Sequence, residues 1–269
     1  MINLNRAFIR AYDRAQAVQP MHSRAVERFH LPATSERLAT SSGELLADSV
    51  RTLLDSSSNP RGVIFVRGTR RAIGRTTVAI CLAQTLATTT RSVALVDADW
   101  ENPSLGQLLL SEPYETDWLA DADQPISELA IESRQHAFTL FPLRSSPPPM
   151  SDFRMNESNA AAAAAPSAAS RQQLVHRAQR RLCTLTEQFA IVIVDTNCWN
   201  NAQPATPLLS GDGASLIVTD ARSSATEDWM PLVGRLRDRG ERRIGRIENF
   251  SPTSRYSPSP DTALPPVQD

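Results

Sequence analysis

Three short apolar strands alternate with helical segments along this chain, and each strand ends at a turn or at an acidic residue. The first strand, 63–66, is followed by the turn at 67–76. The second, 93–96, is followed by Asp97, and the third, 191–194, by Asp195. Uninterrupted apolar strands joined through helices are typical of a parallel sheet that is covered on both faces. Ligands of such sheets bind at the carboxyl ends of the strands. We therefore predict a doubly wound, mostly parallel α/β sheet whose site lies at the edge shared by these three segments.

The rest of the hydrophobic pattern predicts the other elements of this domain. Helical periodicity is found from near residue 42 to 54, and at 76–88, 125–132, 171–188 and 227–239. Strands are predicted at 62–67, 92–97, 138–142, 190–195, 215–219 and 243–247. Together these elements give one α/β domain at 43–250.

Segments outside this domain have a different character. Residues 3–15 have the apolar spacing of an amphipathic helix, which could pack on its own domain or fray, dock a partner, or lie on a membrane surface. Residues 17–42 are polar, so we interpret 1–42 as a helix and linker. The stretch at 145–170 is rich in Pro, Ser and Ala and indicates a low-order insertion or a short alanine helix. The Ser/Pro-rich tail at 251–269 lacks the content to form a core and is expected to be disordered.

Composition narrows the class of protein. The chain has 269 residues, a net charge of -1 and no lysine, so all 28 basic residues are arginine. This balance gives no argument for a nucleic-acid partner. The three cysteines have no metal-ligand spacing, and no apolar run is long enough to span a bilayer. We expect a cytoplasmic protein with reduced thiols, which would reach a membrane through a partner.

The turn after the first strand has the context of a phosphate-binding loop. An apolar strand enters a turn that ends in Gly74, Arg75, Thr76 and Thr77 and continues as a helix. Backbone N–H groups and the helix N-terminus can face an anion there, and the Thr76 hydroxyl can ligate magnesium. Such loops carry lysine where this chain has Arg75, whose fork-shaped cation is not equivalent to an ammonium. A purely structural turn is the alternative.

Acidic residues follow the other two strands. Asp97 and Asp99 form an Asp-x-Asp at the end of one strand, and Asp195 ends a strand of the Walker B type. In that chemistry Asp195 helps to hold Mg²⁺, while Asp97 either ligates magnesium or orients the attacking group with help from Asp99. Solvated acids at strand ends are the structural alternative. The joint order and spacing of the three motifs favours an ATP and Mg²⁺ site.

These motifs resemble the bacterial tyrosine kinases of capsule and exopolysaccharide assembly, a branch of the MinD/ParA-like P-loop ATPases. The resemblance covers about 43–250 and includes the Val-Asp-Ala-Asp segment with Pro103 and Leu105, and the Val-Asp-Thr of the third strand. It implies a P-loop NTPase fold of the MinD/ParA type and binding of ATP and Mg²⁺. Within it, Arg70 stands at the second signature lysine, and Asn249 lies near the base.

The resemblance also implies partners. The segment at 48–53 is similar to a helix implicated in ring-like self-association, so a homo-oligomer is expected. The family typically works with a membrane chain-length regulator of polysaccharide assembly. Since Arg75 replaces the lysine and Tyr256 alone remains of a tyrosine cluster, we expect a weak or inactive kinase or ATPase. A non-catalytic adaptor and a MinD/ParA-like positioning ATPase are the alternatives.

Overall fold

A computed structural model describes residues 24–26, 29–54, 62–90, 92–111, 114, 116–119, 124–133, 135–144, 168–196, 198, 213–222 and 229–249. The amphipathic helix predicted at 3–15 and the tail at 251–269 lie outside these residues. Of the insertion predicted at 145–170, only 168–170 are described, and they begin a helix.

The described residues form strands and helices in alternation. The strands are β1 Arg24–Val26, β2 Gly62–Gly68, β3 Val93–Ala98, β4 Ile131–Ser133, β5 Phe138–Phe141, β6 Ile191–Thr196, β7 Gly213–Asp220 and β8 Arg243–Asn249. The helices are α1 Ala33–Leu53, α2 Arg75–Thr89, α3 Leu105–Leu109, α4 Ala168–Gln188 and α5 Met230–Asp238, with a 3₁₀ turn at Ile126–Leu129. None of the helices in the described ranges is long and apolar enough to cross a bilayer.

All eight strands join one sheet in the order β1-β4-β5-β3-β6-β2-β7-β8. The β4–β5 pair is antiparallel, and every other pair is parallel. Alternate residues of a strand point to opposite faces of the sheet. Helices pack on both of these faces. Ile64 and Val66 share a core with α1 and α2, whereas Phe65 belongs to the core under α4. The predicted doubly wound, mostly parallel sheet is therefore confirmed.

The start of α1 differs from the prediction. The helix begins at Ala33 after Pro32, not near residue 42, so the polar stretch taken as a linker contains its first two turns. That stretch also contains β1. The buried face of α1 includes Ser35 and Gly43, which apolar periodicity cannot detect. Small residues are needed on this face because α1 crosses α2 closely. A Cβ on Gly43 would lie 2.5 Å from the Thr85 hydroxyl.

The helix predicted at 125–132 is also shorter than expected. Only Ile126–Leu129 is helical, as a 3₁₀ turn, and the chain then enters β4. Ile131 is buried and pairs with Leu140 of β5. A residue of the predicted helix therefore belongs to the sheet. Neither β4 nor the short helix α3 was predicted.

Candidate functional site

The carboxyl ends of four strands meet at one cavity of about 600 Å³. The loop after β2 lines the cavity. Asp99, Cys198 and Asn249 line it from the ends of β3, β6 and β8. The first turns of α1 form a wall through Thr34, Arg37, Leu38 and Ser41. The predicted edge of the sheet therefore carries a cavity, as expected for a parallel α/β sheet.

The loop after β2 brings the N-terminus of α2 to this cavity. Gly74 caps the helix with φ 86°, a left-handed conformation that glycine adopts without strain. The first helical residues, Arg75, Thr76 and Thr77, line the cavity. The first N–H groups of a helix have no intrahelical acceptor, so they form a ready site for an anion. The Asn249 amide donates to the carbonyl of Ile73 at 2.8 Å and ties β8 to the loop.

The Arg75 side chain turns toward the sheet and ends between two carboxylates. Its Nε donates to Asp195 Oδ1 at 2.6 Å, and its Nη2 donates to Asp99 Oδ2 at 2.5 Å. Its Nη1 contacts Cys198 Sγ at 3.2 Å. Burial alone would lower the pKa of Arg75, but the charges of Asp195 and Asp99 raise it above its ordinary value. The guanidinium is thus held as a buried cation by Asp195, which was predicted to hold magnesium, and by Asp99, which was predicted to assist Asp97.

Asp97 is used by the main chain. Its Oδ1 accepts from the N–H of Asp99, and its Oδ2 accepts from the N–H groups of Ser104 and Leu105, the start of α3. Burial and the nearby charge of Asp195 raise the pKa of Asp97 to about 8, although these three N–H bonds oppose the shift. Asp97 is fully buried, and in this arrangement it holds the turn from β3 to α3 and does not line the cavity.

Arginines surround the mouth of the cavity. Arg70 donates to Asp220 Oδ2 at 2.6 Å, and Arg222 binds the same carboxylate, chiefly through a side-chain hydrogen bond that lowers the pKa of Asp220 to about 2. Arg37 and Arg71 also line the cavity and are exposed. Within the described residues, neither of these two is in an ion pair. The cavity therefore presents positive charge to an incoming molecule.

The predicted site residues are largely brought together. The residues that line the cavity are Arg70, Gly74, Arg75, Thr76, Thr77, Asp99 and Asn249. Asp195 lies just beneath them and accepts a hydrogen bond from Thr76 Oγ1 at 2.7 Å. The sequence interpretation missed the α1 wall, because Arg37 and Ser41 fall in the predicted linker. It also gave no role to Cys198, since a single cysteine with no spacing pattern carries no local signal.

Solved structures with a similar fold include two kinase domains. The VpsO kinase domain is 18% identical over 82% of this chain and 100% of that one, with a TM-score of 0.55. The kinase domain of the Escherichia coli tyrosine kinase ETK is 18% identical over 79% of this chain and 77% of that one, with a TM-score of 0.56. The chain has the fold of these kinase domains.

A third structure with this fold is the chimerical protein CapA2B2. It is 13% identical over 82% of this chain and 91% of that one, with a TM-score of 0.57. No family model matches the chain, and no curated protein matches it in sequence. The likeness to these solved structures shows that the chain has their α/β fold.

Proposed function

We propose that the protein binds a nucleoside triphosphate, ATP in the first place, in the cavity at the N-terminus of α2. The observation that carries this proposal is the loop from Gly68 to Gly74, which delivers the free N–H groups of a helix to a cavity rimmed by arginines. A polyphosphate fits both features, since it accepts N–H hydrogen bonds and neutralises several cations. The fold shared with the tyrosine-kinase domains supports the same assignment.

Phosphotransfer by this site is expected to be weak or absent. Arg75 is engaged by Asp99 and Asp195, so it does not extend over the cavity toward outer phosphates. Asp97, which was predicted to orient the attacking group, is buried and accepts hydrogen bonds from three backbone N–H groups. A general base must reach the proton that it removes, directly or through one water molecule. We therefore propose a nucleotide-responsive protein of capsule or exopolysaccharide assembly, whose output is a change in its binding to a membrane chain-length regulator.

Calorimetry with ATP tests the nucleotide site through a pair of charge reversals. Arg71→Glu changes an exposed arginine at the cavity, and we expect it to weaken ATP binding by about tenfold or more, because it replaces an attraction by a repulsion. Arg242→Glu is the matched control. Arg242 is also exposed but precedes β8 at the opposite edge of the sheet.

The native protein and the control should bind ATP equally. An absence of ATP binding by the native protein contradicts the proposal and favours the alternative of a non-catalytic adaptor. Equal loss in both variants would place the interaction on general surface charge and not in the cavity. Both substituted residues are exposed, so circular dichroism should show the same fold for the two variants.

A further inference from the structure

The Arg75 guanidinium binds Asp195, one of the acids that the sequence motifs assign to a metal ion. It bridges Asp195 and Asp99 at 2.6 and 2.5 Å, and its side chain is 9% exposed. An arginine stays protonated at any pH at which a protein is folded, so this cation does not leave by titration. The charges of Asp195 and Asp99 are thus partly balanced by the Arg75 side chain.

Magnesium does not fit this arrangement. Mg²⁺ requires near-octahedral oxygen ligands at about 2.0–2.1 Å. Asp195 accepts from Arg75 through one oxygen and from the Thr76 hydroxyl through the other. Both oxygens of Asp97 accept backbone N–H groups. Within the described residues, no group of three or more His, Cys, Asp or Glu side chains is arranged to hold a metal ion.

A divalent cation would also meet repulsion from the guanidinium. It would have to displace Arg75 from both carboxylates, and a buried charge separated from its partners is costly. The remaining positive charge faces the cavity through Arg37 and Arg71 and through the half-exposed Arg70. These groups favour the ligand with the most negative charge, and a free triphosphate is more negative than its magnesium complex.

We infer that Arg75 replaces the divalent cation and that the cavity binds free nucleoside triphosphate in preference to its magnesium complex. This inference rests on the proposed nucleotide site. The ligand's phosphates would lie on the N-terminus of α2 and between the cavity arginines. Asp195 and Asp99 would keep its guanidinium in place.

Calorimetry of the native protein with ATP in excess EDTA and in excess MgCl₂ tests the inference. We expect binding to be tighter in EDTA by on the order of tenfold, the effect of about one screened charge pair. Tighter binding in EDTA than in magnesium supports the inference. Binding that is equal or weaker in EDTA overturns it and leaves the nucleotide site standing. An absence of binding in both solutions overturns the nucleotide site itself.

Two further measurements examine the role of Arg75. Without nucleotide, the native protein should leave the electron paramagnetic resonance signal of free Mn²⁺ unchanged. A signal that the native protein reduces and Asp195→Asn restores would overturn the inference.

Arg75→Lys keeps one charge but loses the fork that joins two carboxylates. We expect its ATP binding to become tighter when magnesium is added, and a folded variant whose ATP binding magnesium leaves unchanged or weakens would overturn the assignment to Arg75.

Discussion

Arg67 is a charged residue placed inside the sheet, and its partners explain how the chain tolerates it. Its Nη2 donates to Glu241 Oε1 at 2.9 Å and its Nε donates to Ser215 Oγ at 2.8 Å, while Ser215 in turn donates to Glu241. The guanidinium also lies 4.8 Å from the centre of the Phe65 ring. Burial lowers the pKa of Arg67 against the opposing effect of Glu241. The charge is therefore stable only while Glu241 carries the opposite one.

Glu241→Gln should consequently destabilise the protein by about 3–5 kcal/mol, the usual cost of breaking a buried ion pair from one side. The matched control is Glu248→Gln, which breaks the exposed 2.6 Å pair with Arg246. That change should cost less than about 1 kcal/mol. Urea unfolding of both variants measures the two costs, and equal costs would contradict the structural role given to burial.

At this scale the sequence was informative about residue type but not about pairing. The glycine and threonine of the loop, and Asp99 and Asp195, were recognised as site residues because their motifs are local. The ion pairs of Arg75 were not foreseen, because its partners lie 24 and 120 positions away along the chain. Nothing in the local pattern indicates whether a loop arginine will face the cavity or turn toward the sheet.

At the scale of elements, β7 is held close to β2 by Gly213. A Cβ at this position would lie 2.5 Å from the carbonyl oxygen of Val63, which is main chain and cannot turn away. Gly213→Ala should therefore force the two strands apart and destabilise the protein by about 1–3 kcal/mol.

Gly234→Ala provides the control for this substitution. Gly234 lies within α5, and nothing is within 4 Å of the position of its Cβ. Alanine is a better helix former there, so a gain of about 0.5–1 kcal/mol is expected. Thermal unfolding of the two variants compares them directly, and a destabilised Gly234→Ala would show that α5 is packed more tightly than the structure indicates.

The elements that the sequence predicted well are those with uninterrupted apolar strands. β2, β3 and β6 were predicted because their buried residues are all apolar up to the acid or turn that ends them. α1 was predicted to start between two and three turns late, because its first part buries Ser35 and otherwise exposes polar residues. β1 and β4 are three residues long and pair mainly with each other and with β5, so their recognition depends on the assembled sheet.

At the scale of the whole molecule, the cavity joins parts of the chain that are far apart. Its walls come from α1, the loop before α2, and the ends of β3, β6 and β8. A ligand bound there would contact the first turns of α1 and α2 and the ends of the central strands at once. Binding should therefore oppose global unfolding and not only order the loop.

ATP in EDTA should raise the free energy of unfolding of the native protein by about 2.7 kcal/mol when its free concentration is 100 times its dissociation constant. The reason is mass action, since the ligand binds the folded cavity and not the unfolded chain. Urea unfolding with and without ATP measures this gain. Arg242→Glu should keep the gain, and Arg71→Glu should lose about half of it or more at the same ATP concentration, because tenfold weaker binding leaves about 1.4 kcal/mol. An undiminished gain in Arg71→Glu would mean that ATP stabilises the protein from some other surface.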